Sequence, residues 1–387
     1  MQPTILITID VEDWFQVENF KPWIPFNTWD QRELRVEKNV HRLLNLFDSV
    51  ELKANSSKLI DANDSTNSIN PISPSNLTNH GNSLDFRCGR IARPVKFEDN
   101  LTGELSRFHQ ETEKLNKSSQ SIKSCQPKKD KTNPFRNNND NGPQTIDYGR
   151  QKKLHATFFV LGWIAERLPH LVREIQFRGH EVASHGYYHK LYNQMTSEEL
   201  KKDLIDSKKL LEDISGSAVY GFRAPSFSVS DDILKTIEDC GYRYDSSYNS
   251  FIIHKRYGQV SLNENGKWGV AYELSPTFYE LPISNLNLRK AISSGRNDKK
   301  RFALPWGGGA YFRLLFFPLF EIGVKNILQK ENAYLFYLHP WEIDPEQPRI
   351  EEASLNYKFR QYVNLSQTHE KLASLFKSFS DCHFVTC

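Results

Sequence analysis

His185 and His189 in Ser184-His185-Gly186-Tyr187-Tyr188-His189 stand four residues apart, a spacing that lets one turn of helix aim two imidazoles at a single metal ion. With 12 histidines in 387 residues, chance alone yields about 0.4 such pairs per chain, so the spacing needs company. Ile9-Asp10-Val11-Glu12-Asp13-Trp14 supplies it by crowding three carboxylates together. Like charges so close repel and raise one another's pKa unless a cation or a guanidinium neutralises them. The plain alternative is a solvated acidic turn or a helix N-terminus. Gly221-Phe222-Arg223-Ala224-Pro225 offers a guanidinium on a proline-restricted turn, suited to orient a carboxylate through two parallel hydrogen bonds or to sit as an ordinary surface arginine. Leu338-His339-Pro340-Trp341-Glu342 ends an apolar run with an imidazole, which taken singly reads as a satisfied core histidine. Asp13 and Glu342 could equally make structural hydrogen bonds.

Asp10, His185, Arg223 and His339 each follow directly on an apolar run, and that coincidence is the main signal. The runs Ile5 to Ile9, Ala156 to Leu161, His180 to Ser184, Val219 to Phe222, Tyr242 to Asp245, Tyr279 to Pro282, Arg301 to Leu304 and Tyr334 to Leu338 are predicted strands. Between them, apolar positions at helical spacing predict helices over Val36 to Phe47, over Ile164 to Ile175 before Gly179, and after a capping box at Thr196 and Glu199. Asp231 to Cys240 is a further helix, closed by Gly241. Repeated βα units predict a parallel sheet, open or closed into a barrel, with its chemistry at the carboxyl ends of the strands.

From Lys53 to Arg150 the chain turns to Asn, Ser, Lys and Thr with few aromatics. Such a stretch buries too little apolar surface to offset chain entropy, so it is expected to be a disordered insertion within the domain, its partner unknown. Lysine and arginine total 50 against 47 acids, a net charge of +3 that gives no electrostatic footprint for nucleic acid. No membrane span is expected, because the most apolar late stretch, Leu314 to Phe320, is interrupted by Pro318. The start of the chain lacks the pattern of a signal peptide, and five cysteines without a CxxC pair fit a reducing compartment, so a cytoplasmic location is expected.

Six ordered blocks together resemble the polysaccharide deacetylase family that shares the NodB homology domain, in its branch associated with exopolysaccharide and exosortase gene clusters. They are Thr8-Ile9-Asp10-Val11-Glu12-Asp13-Trp14-Phe15, His155-Ala156-Thr157-Phe158-Phe159-Val160-Leu161-Gly162, Ser184-His185-Gly186-Tyr187-Tyr188-His189, Arg223-Ala224-Pro225-Ser226-Phe227-Ser228, Gly307-Gly308-Gly309-Ala310-Tyr311-Phe312-Arg313 and Tyr337-Leu338-His339-Pro340-Trp341-Glu342-Ile343-Asp344. The resemblance implies one α/β domain over residues 1–387, a distorted (β/α) barrel carrying the insertion. It also implies hydrolysis of the N-acetyl group of an amino sugar, with an N-acetylated glycan as substrate.

The resemblance further implies one divalent metal ion, zinc by expectation, held by one carboxylate and by His185 and His189. Asp10 becomes the catalytic base, oriented by Arg223, and His339 the acid that protonates the departing nitrogen. Many relatives carry two adjacent aspartates where this chain has Asp10-Val11, so the carboxylate ligand is Glu12 or Asp13, with Asp13 slightly favoured. The glycines at 307–309 either allow close backbone approach at the rim or form a plain flexible turn, and Trp306, Tyr311 and Trp341 either stack on sugar or pack in the core. Two rival readings are a ring-amide hydrolase of allantoinase type and a catalytically silent glycan-binding protein.

Overall fold

Strand β1 (Thr4–Val11) is buried along nearly its whole length, and its period-2 alternation sorts its side chains onto two faces. Ile5, Ile7, Ile9 and Val11 enter a core shared with helix α1 (Val36–Asp48), whose Val40, Leu43, Leu44 and Phe47 lie on one side at helical spacing. Leu6 enters a second apolar cluster with Phe159, Ala183, Ile283 and Leu335. Thr8 and Asp10 share the parity of Leu6, so the polar end of that face begins two residues after its apolar end.

The structure is a computed structural model that describes residues 2–52, 153–251, 257–288 and 302–387. The insertion expected over residues 53–150 lies outside the described residues. All the described residues fall in one compact unit. After α1 the chain resumes with β2 (Thr157–Val160), α2 (Gly162–Arg167), α3 (Pro169–Phe177) and β3 (Glu181–Ser184). It continues through α4 (Ser197–Ser215), β4 (Gly221–Phe222), α5 (Asp231–Asp239) and β5 (Tyr244–Asp245). Strands β6 (Lys267–Trp268), β7 (Ala271–Ser275), β8 (Phe278–Glu280), β9 (Leu286–Leu288) and β10 (Phe302–Leu304) follow. Helices α6 (Gly309–Leu314) and α7 (Phe317–Glu331), strand β11 (Ala333–Leu338), helices α8 (Leu355–Tyr362) and α9 (Leu365–Ser378), and β12 (His383–Val385) complete the described order.

The main sheet runs β11-β1-β2-β3-β4-β5-β8-β7-β6, parallel from β11 to β8 and antiparallel beyond. β12 pairs with the first half of β1, at Thr4 to Leu6, while β2 pairs with the second half, from Thr8 to Val11. On the open side of β11, Leu335 donates to Ser284 Oγ at 2.8 Å and Tyr337 donates to the Gly307 carbonyl at 2.7 Å. The stretches just beyond β8 and β10 therefore meet β11 through irregular contacts, so the sheet curls into a distorted (β/α) barrel whose closure is not a regular ladder.

Two expectations need correction. The helix read across Ile164 to Ile175 is two helices, because Pro169 at the start of α3 has no N–H to continue α2 and Leu168 leaves helical geometry at φ −125° and ψ 56°. The strand expected over Arg301 to Leu304 forms as β10, but it pairs antiparallel with β9 in a separate ribbon and not in the parallel sheet. The capping box at Thr196 and Glu199 forms as predicted, and Gly241 follows α5 at φ +84°. Among the described residues no helix is long and apolar enough to cross a membrane.

Candidate active site

The inner faces of three strands within one parallel run end in functional groups. On β1 the column Leu6, Thr8, Asp10 continues to Glu12; on β11 Leu335 and Tyr337 lead to His339; on β3 Ala183 leads to His185. Since β11, β1, β2 and β3 are consecutive and parallel, these columns deliver their last residues to one carboxyl edge. Asp10, Glu12, His185 and His189 are buried there, whereas the His339 side chain keeps 19 % of its surface exposed and so borders the opening.

Ligand atoms of Glu12, His185 and His189 lie within 4.8 Å of one another and could hold a metal ion. The two histidines do not ride on a helix, as their spacing suggested: they sit on a loop after β3 in which Gly186 has φ +73° and His189 φ +53°. A side chain on Gly186 would meet the Tyr192 hydroxyl at 2.6 Å, which accounts for glycine at that turn. His185 Nδ1 lies 2.8 Å from the Arg223 carbonyl oxygen, which fixes that nitrogen as the donor and leaves Nε2 with its lone pair. Burial depresses the His185 pKa to about 4, so its imidazole is neutral.

Glu12 Oε2 lies 2.8 Å from His189 Nε2, yet this buried oxygen makes no hydrogen bond of acceptable geometry. An orphaned carboxylate oxygen facing an imidazole nitrogen suits a cation placed between them better than a proton shared by them. Burial raises the Glu12 pKa, but His189 and His339 outweigh it and hold the group at about 2, so the carboxylate is ionised. One carboxylate with two imidazoles is a donor set that fits a borderline divalent ion such as zinc.

Asp13, the carboxylate slightly favoured from the sequence, stands outside this group. Its Oδ2 accepts the backbone N–H groups of Arg35 and Val36 at 2.6 and 2.8 Å, and its Oδ1 accepts that of Trp14 at 2.8 Å. The first two of those donors open α1, so Asp13 satisfies the orphan N–H groups of a helix start. Burial pushes its pKa up to about 7 against the pull of these three donors.

Asp10 lies on the other side of the cluster. Arg223, completely buried, donates from Nη1 to Asp10 Oδ1 at 2.7 Å and to Thr8 Oγ1 at 2.8 Å. Its Nε and Nη2 donate to the Ser246 carbonyl and hydroxyl, so Arg223 grips Asp10 through one hydrogen bond and not the parallel pair expected. Asp10 Oδ2 stays free of the guanidinium, 3.9 Å from His339 Nε2. His339 Nε2 also lies 3.3 Å from Glu12 Oε1, and its Nδ1 lies 2.8 Å from Glu342 Oε1. Burial lowers the His339 pKa, but Glu12, Glu342 and Asp10 together raise it to about 9, which favours the imidazolium.

Sequence reasoning missed two supports. Ser246 carries no signal beyond its place after an apolar strand. Arg313, quoted within a motif but given no role, is buried and donates from Nε to Glu342 Oε2 at 2.7 Å. Trp341 stacks on His339 at 5.0 Å and Trp306 stacks on Phe320 at 5.7 Å with its indole N–H on the Phe320 carbonyl, so neither presents a free face to sugar. Gly309 is required by packing, since a Cβ there would stand 2.3 Å from Glu342 Oε1.

The arrangement defines a class: a distorted (β/α) barrel with a candidate metal centre and flanking acid–base groups at the carboxyl edge of its sheet. Residues 130–244 match the polysaccharide deacetylase family model, and residues 246–387 match a model described as a domain of unknown function. Over that first stretch the chain is similar to the polysaccharide deacetylase family. The first model spans His185, His189 and Arg223, the second spans His339 and Glu342, and Asp10 and Glu12 precede both, so the site is assembled from three stretches of chain.

A peptidoglycan-N-acetylglucosamine deacetylase of Bacillus cereus is 35% identical over 101 residues, covering 26% of this chain and 47% of that protein. A chitooligosaccharide deacetylase of Azorhizobium caulinodans is 31% identical over 102 residues, covering 26% of this chain and 49% of that one. The chain thus spans about half the length of these curated relatives. Among solved structures, an allantoinase aligns at a TM-score of 0.37 and 17% identity, covering 60% of this chain and 65% of that chain.

Proposed function

We propose that this protein hydrolyses the N-acetyl group of an amino sugar within a glycan, releasing acetate and leaving a free amine. The observation that carries the reading is the placement of Asp10 and His339 beside the Glu12, His185 and His189 cluster, each with a separate anchor. Arg223 occupies one oxygen of Asp10, and Glu342 occupies one nitrogen of His339. The second atom of each, Asp10 Oδ2 and His339 Nε2, lies 3.9 Å from the other at the edge of the cluster.

An amide is a poor electrophile with a poor leaving group, so its hydrolysis needs help at both ends. A divalent ion held by Glu12, His185 and His189 supplies, when bound, polarisation of the acetyl oxygen and a more acidic water. Asp10 Oδ2 accepts the proton of the attacking water as the new C–O bond forms. His339 Nε2–H then donates to the nitrogen as the C–N bond breaks, without which the tetrahedral species would return to substrate. Glu342 steadies the imidazolium throughout.

The names of the Bacillus and Azorhizobium relatives support an N-acetylated glycan as the substrate class. We assign the glycan to exopolysaccharide biosynthesis on the ordered motif blocks, and the reaction to the cytoplasm on the cysteine pattern. The test is acetate release from N-acetylglucosamine oligomers by metal-loaded protein, chelated protein and an Asp10→Asn variant. Loss of a general base is expected to slow release by about 10²–10⁴-fold. Release that survives both chelation and Asp10→Asn would overturn the reading.

A further inference from the structure

Strand β5 ends at Asp245, and the turn that follows serves the site twice. Ser246 accepts the Arg223 Nε–H on its carbonyl at 2.8 Å and the Nη2–H on its hydroxyl at 2.7 Å, which leaves Nη1 for Asp10. Ser247 Oγ accepts the Ala224 N–H at 2.7 Å, and the carbonyl of that same peptide unit, Arg223 to Ala224, accepts from His185 Nδ1 at 2.8 Å. One turn therefore orients the candidate base through a guanidinium and a candidate metal ligand through a peptide group.

The turn has its own anchor. Asp245 Oδ2 accepts the Ser247 N–H and Asp245 Oδ1 accepts the Ser247 hydroxyl, both at 2.8 Å, so the hydroxyl proton is committed to Asp245 and a lone pair is left for Ala224. Glu280, at the end of β8, is the register partner of Asp245, and its Oε1 accepts the Tyr248 N–H at 2.9 Å. The next residue, Leu281, accepts the Ser246 hydroxyl on its carbonyl at 2.8 Å. Asp245, Ser246, Ser247 and Glu280 are all fully buried.

Glu280 Oε2 has no donor, and the group it meets is another acceptor, the Asp245 carboxyl. Two buried carboxyl groups in contact are reconciled when one of them keeps its proton. Burial first, and then the Asp245 charge, hold that proton on Glu280, so its Oε2–H donates to Asp245. Asp245 then has three donors, two from Ser247 and one from Glu280.

We propose that Glu280 is a positioning residue for the reaction: as a neutral acid it donates to Asp245 and fixes the turn at 245–247 in the form that holds both Arg223 and His185. The inference rests on the deacetylase reading for what Asp10 and His185 do, and it adds the residue that sets them from behind.

The experiment reads hydrogen exchange of the Arg223 and Arg313 Nε–H groups by NMR of ¹⁵N-arginine-labelled protein, beside kcat and KM for acetate release from N-acetylglucosamine oligomers. The variants are Glu280→Leu, Glu280→Gln and Ser247→Ala. Arg313, buried on Glu342, is the internal reference for an intact fold. Glu280→Leu should strip protection from Arg223 and not from Arg313, and lower kcat by about 10–100-fold with KM little changed, the scale of a lost support behind a metal ligand. Glu280→Gln, which can still donate to Asp245, should recover the protection and most of the rate. Ser247→Ala cuts the link between Asp245 and Ala224 without touching Glu280, and should lower kcat in the same way even if Glu280→Leu folds poorly. Wild-type kcat and Arg223 protection in Ser247→Ala, Glu280→Gln as impaired as Glu280→Leu, or equal loss of protection at Arg223 and Arg313 would each overturn the proposal. If the wild type releases no acetate while the exchange pattern holds, the hold of Glu280 on Arg223 stands and the hydrolytic reading fails.

Discussion

Arg313 and Glu342 form a fully buried ion pair, with Arg313 Nε 2.7 Å from Glu342 Oε2, and the other oxygen of Glu342 holds His339. The remaining nitrogens of Arg313 donate to the carbonyls of Arg360, Gln361 and Val363, so the guanidinium ties the His339 loop to the junction of α8 and α9. Removing one partner of such a pair leaves the other charged and desolvated, at a cost of about 3–5 kcal/mol. Arg313→Met is therefore expected to lower stability by that order, read by chemical denaturation. The milder Glu342→Gln keeps the shape of the side chain and weakens its hold on His339. It should lower kcat for acetate release by about tenfold or more while KM changes little, the pattern of an interaction made chiefly in the transition state. A KM effect with kcat intact would remove Glu342 from the positioning of His339.

Glu12 and Asp13 are adjacent and both buried, yet their carboxylates serve different ends, and two variants separate them. Glu12→Ala should abolish stoichiometric zinc binding in a calorimetric titration. Asp13→Ala should keep zinc binding and lose about 0.5–2 kcal/mol of stability, the usual cost of deleting a side chain that caps a helix start. Retained zinc binding in Glu12→Ala with loss in Asp13→Ala would reverse the assignment.

That pair also shows how far the sequence could be read. Asp10, His185, Arg223 and His339 were legible because each follows an apolar run, and parallel strands gather such positions at one edge, while His189 was legible from its spacing to His185. The choice between Glu12 and Asp13 was legible too, had the alternation of β1 been carried two residues past its apolar part: Glu12 has the parity of Asp10, and Asp13 does not. Other features were not local. The loop that carries His189 depends on a positive φ that no spacing announces, and the single hydrogen bond from Arg223 to Asp10 arises because Ser246, just past β5, takes the rest of the guanidinium. Barrel closure rests on Leu335, Ser284 and Gly307, which are far apart in sequence and meet through irregular contacts.

Gly309 tests the packing behind the acid. Its missing Cβ would fall 2.3 and 2.5 Å from the two oxygens of Glu342, so Gly309→Ala must displace that carboxylate, and with it the anchor of His339. Overpacking of this kind costs about 1–3 kcal/mol, and the loss of activity should exceed what stability alone explains. Gly216, which caps α4 at φ +69° with open space around the position of a Cβ, is the control: Gly216→Ala should cost about 1 kcal/mol and leave acetate release unchanged. Equal loss of activity in both variants would mean that the effect is not transmitted through Glu342.

Glu280 makes the stability of the barrel depend on pH. It is fully buried beside Asp245, its register partner on the neighbouring strand, and its Oε1 accepts the Tyr248 N–H at 2.9 Å. Burial first, and then the Asp245 carboxylate, push its pKa well above the ordinary 4.5, so the folded protein keeps a proton that the unfolded chain releases. Below pH 4.5 both states hold the proton and this contribution is complete. As pH rises further the unfolded state gains by ionising, and stability falls by about 1.4 kcal/mol per pH unit until the folded-state pKa is passed. Glu280→Gln keeps the acceptor for Tyr248 and a donor toward Asp245 but cannot ionise. Thermal denaturation at intervals from pH 5 to 8 should therefore show the variant losing less stability than the wild type across that window, with the gap widest at the alkaline end. Parallel curves would mean that Glu280 is already ionised in the folded protein.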